Sequence, residues 1–294
     1  MLHQARQVTL DLSQIRIEPL SREGFFVLVD WAKQEGWNPG THDAEAFWAQ
    51  DPEGFVGVKH HDALIAGGSI VSYDGDFGFM GFFMVKPEYR GQGLGRKLWT
   101  HRRDALKARL NPDASIAMDG VVAMQPFYAS GGFVHQFADV RYALKGRPYA
   151  VNKHILSGIQ DEEALRAYDK TCFLVDRTRF LQHWWNQPDG HVFCWLQDDS
   201  IQGYATLRDA TEGRRIGPLF ADTPEIAEAL VKACLNAAGD DTVFLDVPVA
   251  NPSSVALATM LGGDAVFECA RMVLGPVPPW PLDRIYGIAS FELG

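Results

Sequence analysis

Three glycines at alternate positions, Gly91, Gly93 and Gly95, stand between an apolar run and a basic amphipathic stretch, and they dictate what this part of the chain becomes. The apolar run, Phe77 to Val85, stops at Pro87 and Glu88; the stretch after Gly95 reads as a helix. Glycines this close together let backbone amides approach a ligand without side chains in the way. Amides at a helix N-terminus attract anions, because the unpaired N–H groups and the helix dipole act in the same direction. Arg90 and Arg96 flank the cluster and can add charge-assisted bonds to phosphate oxygens. The segment therefore reads as a pyrophosphate cradle. A nucleotide P-loop needs Ser or Thr after its lysine, and here Leu98 follows Lys97. A dinucleotide fingerprint needs its third glycine three places after the second, whereas Gly95 lies two after Gly93.

The order Arg90, Gly91, Gln92, Gly93, Leu94, Gly95 resembles the acyl-CoA pyrophosphate loop of the GNAT superfamily of N-acetyltransferases, Arg/Gln-x-x-Gly-x-Gly/Ala. Arg90 takes the first position, Gly93 the fourth and Gly95 the sixth. The resemblance runs from about Ile15 to Lys145. It comprises a strand at Ile15–Leu20, a helix capped by Ser21 and running to about Glu35, and a short helix at Asp43–Ala49. Strands at 54–59 and 64–73 follow around the turn at His60 to Asp62, and a turn at Asp74 to Asp76 leads into the strand before the loop. Beyond the long helix come a buried strand at Ser115–Met118, a short helix at Gln125–Ser130 ended by Gly131 and Gly132, and closing strands over Phe133–Leu144. The implied fold class is α+β, a mixed and mostly antiparallel sheet flanked by helices.

At 294 residues and 47% hydrophobic, the chain is long enough for two cores of about 150 residues each. Residues 149–294 repeat the order of elements, with Gly146 to Tyr149 as junction. Aligning Gly262 and Gly263 with Gly131 and Gly132 places Ala221, Asp222, Pro224 and Ile226 on Arg90, Gly91, Gly93 and Gly95. Asp222 would put an anion where pyrophosphate belongs, and Pro224 removes a donor amide. The expectation is two tandem GNAT-like domains, 1–148 with the acyl-CoA loop and 149–294 degenerate and without cofactor. Charge differs likewise: 16 Lys/Arg against 17 Asp/Glu in the first half, 11 against 20 in the second.

An acidic protein, net −10, argues against a nucleic-acid partner. No apolar run approaches the roughly 18 residues of a membrane span, and the N-terminus from Met1 to Gln7 lacks the apolar core of a secretory signal, so a cytoplasmic location is expected. Cys172, Cys194, Cys234 and Cys269 lack metal spacing and read as reduced core residues; no metal is expected.

What the resemblance implies for chemistry is acetyl-CoA as acyl donor. Main chain at Phe83, Met84 and Val85 would hold pantetheine, and Arg90, Gly91, Gln92, Gly93, Leu94, Gly95 and Arg96 the pyrophosphate. The backbone N–H of Val85, or of Met84, would meet the thioester carbonyl. Tyr128 would be the general acid near sulfur, with packing as its alternative role, and Gln125 would help hold the pantetheine arm or simply cap its helix. The general base is left between Glu35 and Asp43, with His42 as a third choice. Trp37, Asn38 and Tyr73 are candidates to border an acceptor, a small-molecule amine or an exposed amino group. A non-enzymatic acyl-CoA sensor is the competing function, and a homodimer is an allowed assembly.

Overall fold

The computed structural model describes residues 10–294; the reading of Met1 to Gln7 lies outside the described residues. The first half opens with β1 (Ile17–Pro19) and α1 (Arg22–Gln34), whose N-cap Ser21 accepts from the Gly24 amide. α2 (Asp43–Gln50) leads to the hairpin of β2 (Phe55–His60) and β3 (Ala63–Ser69), turned through His61 and Asp62, both at positive φ. The apolar run expected as single strands is interrupted on both sides of the next turn. β4 (Val71–Tyr73) is separate from β3, and the strand before the loop is split into β5 (Phe77–Phe79) and β6 (Met84–Val85). The glycine loop caps α3 (Leu94–Ala108), followed by β7 (Ser115–Val121), α4 (Gln125–Ser130) and the twelve-residue β8 (Val134–Lys145).

The second half repeats the order. β9 (Ile155–Ser157), α5 (Glu162–Phe173) and α6 (Thr178–Trp184) precede the hairpin of β10 (His191–Gln197) and β11 (Ser200–Asp209). β12 (Arg214–Ala221), α7 (Pro224–Ala237), β13 (Thr242–Pro248), α8 (Pro252–Met260), β14 (Asp264–Leu274) and β15 (Ile285–Gly287) complete it. Thr223 caps α7, its Oγ1 accepting from the Ile226 amide.

The two halves do not close separately. β1, β2, β3 and β6 form one small sheet, and every other strand joins a single larger one in the order β4-β5-β7-β14-β8-β13-β12-β11-β10-β9, with β15 beside β12. β8 therefore does not pack beside β7 of its own half, as the reading of 133–144 as closing strands implied. It pairs antiparallel with β13, while β14 of the second half pairs antiparallel with β7. β8 and β14 also pair antiparallel with each other, so no strand edge is left at the junction and the two sheets are fused.

Register in the exchange is marked by charge. Arg141 on β8 lies directly opposite Asp246 on β13, and Arg271 on β14 directly opposite Asp119 on β7. Both pairs are fork-like: Arg141 Nε reaches Asp246 Oδ1 at 2.6 Å, and Arg271 Nε reaches Asp119 Oδ1 at 2.6 Å. Arg215 adds a second guanidinium to Asp246. Away from the sheet, α2 packs on α6, with the Phe47 ring 6.0 Å from Trp184.

Burial alone would raise the Asp246 carboxyl, but Arg141 and Arg215 outweigh it and bring it down to about 2. Replacing Asp246 by Asn should strand two buried guanidinium groups and cost about 3–5 kcal/mol of stability, read as a lower thermal midpoint at pH 7. An unfolded aspartate titrates near 3.9, roughly, so the stabilisation is complete above that pH and is lost as pH falls toward 2. The gap between wild type and D246N should accordingly narrow from pH 5 downward; a gap independent of pH would refute the assignment.

Candidate active site

The cleft begins where β5 leaves β7. Phe79 pairs parallel with Ala117, the Met80 amide donates to Ala117 O at 2.9 Å, and no further rung is possible because the chain turns away. Phe82 sits at φ 52°, in the left-handed region that an aromatic residue seldom enters, and β6 then pairs with β3 instead. Three contacts hold this bend. The Ser69 amide donates to Gly81 O at 2.9 Å, the Gly81 amide donates to Ser69 Oγ at 2.6 Å, and Arg102 Nη2 donates to both Ser69 O (2.7 Å) and Gly81 O (2.5 Å).

The gap is a cavity of about 680 Å³. Met80 to Val85 form one wall, Met118, Asp119 and Val121 the other, and Phe127 and Tyr128 from α4 close the back. Arg90, Gly91, Gly95 and Arg96 stand at one end. Phe267, Cys269, Phe291 and Glu292, all from the second half, complete the lining.

Backbone geometry makes the loop end an anion site. Gly91 and Gly93 have φ of 77° and 86°, which L side chains rarely adopt, and Gly93 caps α3 with no side-chain acceptor. The amides of the first turn point to the cleft end of the helix. A Cβ on Gly95 would meet only ordinary contacts, 3.6 Å from Phe83 and 3.7 Å from Val85. Folding alone does not require glycine there, whereas a close-lying phosphate would. The loop residues thus fit an acyl-CoA pyrophosphate. Not all of them face it: Leu94 is buried in the core, and the Gln92 carboxamide accepts from the Leu10 amide. Lys97 is committed to Leu12 O and Ile15 O, holding the chain before β1 against the loop.

The Lys86 amide donates to Ile65 O on β3, and backbone donors alternate along a strand, so the Val85 N–H points the other way, into the cleft. This selects Val85 over Met84 as the inward donor. Tyr128 reaches the cleft because Gly120 lets its ring lie on β7; a Cβ there would fall 2.7 Å from the ring. Burial pushes the Tyr128 phenol up to about 12, with Arg102 pulling the other way. Burial brings the Arg102 guanidinium down to about 9; its Nη1 has no hydrogen-bond partner.

Four sequence expectations are corrected. Asp43 is 0% exposed and holds Arg208 Nε at 2.8 Å, the Gly40 amide at 2.9 Å and Gln187 Nε2 at 3.1 Å. It is a bridge between halves, with no path to a substrate proton. Tyr73 is buried and donates from Oη to Leu293 O at 2.7 Å. Asn38 exchanges hydrogen bonds with the Glu212 backbone, outside the cleft. Gln125 opens α4 and does not line the cavity. Trp37 and Glu35 do line it, and Glu35 pairs with Arg90 Nη2 at 2.9 Å. Sequence reasoning missed Arg102, Asp119 and the four residues from the second half. Arg102 alone left a signal, an arginine inside the buried stripe of Leu94, Leu98, Trp99 and Leu106.

The second half begins the same construction and then fills it. β12 pairs parallel with β13 for three rungs, Arg214 to Ile216, as β5 does with β7. Beyond them β12 pairs instead with β15, Leu219 opposite Gly287. In place of the glycine loop, Asp222 accepts from Tyr168 Oη and Arg284 Nε, each at 2.9 Å.

Comparison with known proteins agrees with this duplication. Residues 22–133 match the model of the acetyltransferase (GNAT) family, and residues 165–287 match that of an acetyltransferase (GNAT) domain. The chain is 28% identical over 287 residues to the holothin acyltransferase of Pseudoalteromonas sp. (strain SANK 73390), covering 94% of each. Its fold is similar to that of a putative acetyltransferase from Pyrococcus horikoshii (TM-score 0.82, 20% identity, 99% of this chain and 100% of that one). It also resembles a tandem GNAT protein from the clavulanic acid biosynthesis pathway (TM-score 0.63, 13% identity, 90% and 99%).

A phenol held near 12 keeps its proton through neutral and mildly alkaline pH. Ultraviolet difference titrations of wild type and Y128F should therefore overlay between pH 9 and 11. An extra tyrosinate appearing in wild type within that range would contradict the buried environment.

Proposed function

The chain is an acyltransferase built of two tandem GNAT domains, and on that premise we propose that it moves an acetyl group from acetyl-CoA directly to a primary amine, carried by a small molecule or an exposed amino group. The observation that carries this reading is the position beside Gly95, where a Cβ would make only ordinary contacts, lining a cleft whose wall presents the Val85 N–H. Pyrophosphate would lie on the amides around Gly91 to Arg96, and pantetheine along Phe83 to Val85. Arg90 is held beside that site by Val85 O at 2.7 Å and by Glu35.

The residues have distinct tasks. The Val85 N–H donates to the carbonyl oxygen as negative charge grows there; one such donor is worth about 10²–10³ in rate. Tyr128, kept protonated by burial, donates its hydrogen bond to the departing sulfur. Arg102, behind it, keeps the bend at Gly81 open and adds positive potential. The filled slot between β12 and β13 and the anionic Asp222 support a single acyl-CoA site, in the first half. Among the described residues no helix is long and apolar enough to cross a membrane. We place the protein's work in the cytoplasm, with neither membrane nor nucleic acid as partner.

Titration calorimetry with acetyl-CoA, followed by thiol release against an amine panel, tests the proposal. Gly95→Asp puts a carboxylate among the amides at a position where a Cβ makes only ordinary contacts, and should remove measurable binding while the fold persists. Unchanged affinity would sink the cradle. Tyr128→Phe should lower kcat by about 10²-fold with the acetyl-CoA Kd kept, and an unaltered kcat would take Tyr128 out of the chemistry.

A further inference from the structure

Among the residues that line the cleft, Glu292 is a carboxylate with no part in acyl-CoA binding. Glu292 belongs to the segment Ile288–Gly294, which is buried throughout against both halves. Arg208 Nη2 donates to Ala289 O at 3.1 Å, Ser290 Oγ accepts from the Glu292 and Leu293 amides, and Tyr73 fastens Leu293. The segment rests directly on the bent strand: a Cβ on Gly81 would fall 2.3 Å from the Glu292 carbonyl oxygen. Glu292 is therefore four residues along the wall from Val85, lines the cavity, and is 3% exposed, and its Oε2 has no hydrogen-bond partner. Trp37, Phe267 and Phe291 line the same cleft, with the Phe267 and Phe291 ring centroids 5.8 Å apart.

A buried, unpartnered carboxyl oxygen is expensive unless something completes it. The groups around Glu292 are Arg215 on β12, Arg141 on β8, Asp246 on β13 and Asp43 on α2. The three guanidinium groups of this cluster already have partners: Arg141 and Arg215 grip Asp246, and Arg208 grips Asp43. Asp119, a second carboxylate lining the cleft, is likewise held by Arg271. Glu35, the third lining carboxylate, is held by Arg90, so Glu292 is the one left without an arginine hydrogen bond among the described residues. Burial raises its carboxyl above the usual range, against the pull of Arg215 and Arg141 and with the help of Asp43. Aromatic faces and an anion lining one cleft suit a cationic amine with an apolar body.

We propose that Glu292, supplied by the second half, receives the acceptor's ammonium group in the cleft and acts as its general base, so that the degenerate domain provides the acceptor site for the acyl-CoA domain. This rests on the function proposed above. In proton terms, the ammonium gives one proton to the Glu292 carboxylate, which later passes it to solvent. The freed lone pair forms the C–N bond to the thioester carbonyl carbon, and the C–S bond breaks with its electron pair on sulfur. A second proton leaves nitrogen and balances the one that ends on the thiol, so each turnover releases one proton.

Glu292→Gln in the full chain is the test, with acetyl-CoA affinity and thiol release measured side by side. The expected result is an acetyl-CoA Kd within about twofold of wild type and a fall of about 10²-fold or more in kcat/KM for alkylamines that are cationic at neutral pH. The acid limb that the Glu292 carboxyl gives the wild-type profile of kcat/KM against pH should be replaced in E292Q by a rise with pH that follows the alkylamine's own deprotonation. The loss should be much smaller for an arylamine, already neutral at the assay pH, and Glu292→Asp should restore part of the alkylamine rate. Wild-type rates in E292Q, or equal losses for both amine types, would overturn the assignment while leaving acetyl transfer intact. Wild-type protein that binds acetyl-CoA yet acetylates no amine would overturn both. Should E292Q fail to bind acetyl-CoA, E292D decides: a folded E292D with an unchanged pH profile and rate ratio between amine types would also count against Glu292.

Discussion

Two ion pairs at matching places in a repeated fold, Arg141 with Asp246 and Arg271 with Asp119, are what the rest of this molecule depends on. Each arginine sits on an exchanged strand, directly opposite its aspartate on a strand of the other half. A slip of one residue would flip every side chain of β8 or β14 to the wrong face and separate the charges inside the sheet. Hydrophobic pairing alone would tolerate several alignments of a twelve-residue strand, and a buried fork tolerates one. Because β14 is locked beside β7, Phe267 and Cys269 are carried into the first half's cleft. The exchange thus builds the active site as well as the sheet.

The same repeat gives opposite outcomes at the splay between strands. In both halves a three-rung parallel pairing ends as the first strand turns aside. The first half props its gap with Arg102 and the bend at Phe82, and keeps it open at about 680 Å³. The second half lays β15 in the gap and recovers the hydrogen bonds and burial that an open slot forgoes. A cleft of this size costs stability in packing, and one half bears that cost while the other adds rigidity. The buried cation Arg102, without a carboxylate partner, belongs to the same economy: its site is tuned to hold a gap, and an apolar core would avoid it.

Local order was legible in the sequence to a useful depth. Ser21, the Gly131 and Gly262 stops and the His61–Asp62 turn all mark elements the structure contains, because caps and turns are set by residues within a few positions. The glycine loop was legible for the same reason. Strand partnership was not, since β8 and β14 each carry an arginine and β7 and β13 each an aspartate, so the pattern of charges allows either pairing. Asp43 and Tyr73 read as site residues because polarity near a functional loop is ambiguous; three-dimensional partners, Arg208 and Leu293, assign them to the junction. Asn38 was placed one residue too far: Trp37 turns inward, and the positive φ of Asn38 carries its side chain to Glu212.

Separate origins for the two sets of lining residues have a consequence for how such a chain can change. Residues that would hold the acyl donor come from one continuous stretch, Phe83 to Arg96, plus Tyr128, and are constrained by backbone geometry. Residues that would face the acceptor come from β14 and the segment 288–294, which contribute lining to the cleft while their backbone is fixed by the sheet and by Arg208. Substitution at Phe267 or Phe291 therefore alters the pocket without disturbing the amides of the loop. Arg141 lies 4.9 Å from the Phe291 ring and 5.7 Å from that of Phe267, so the ion pair that sets strand register also supports the aromatic wall. Acceptor choice can drift on that wall only as far as the register lock allows.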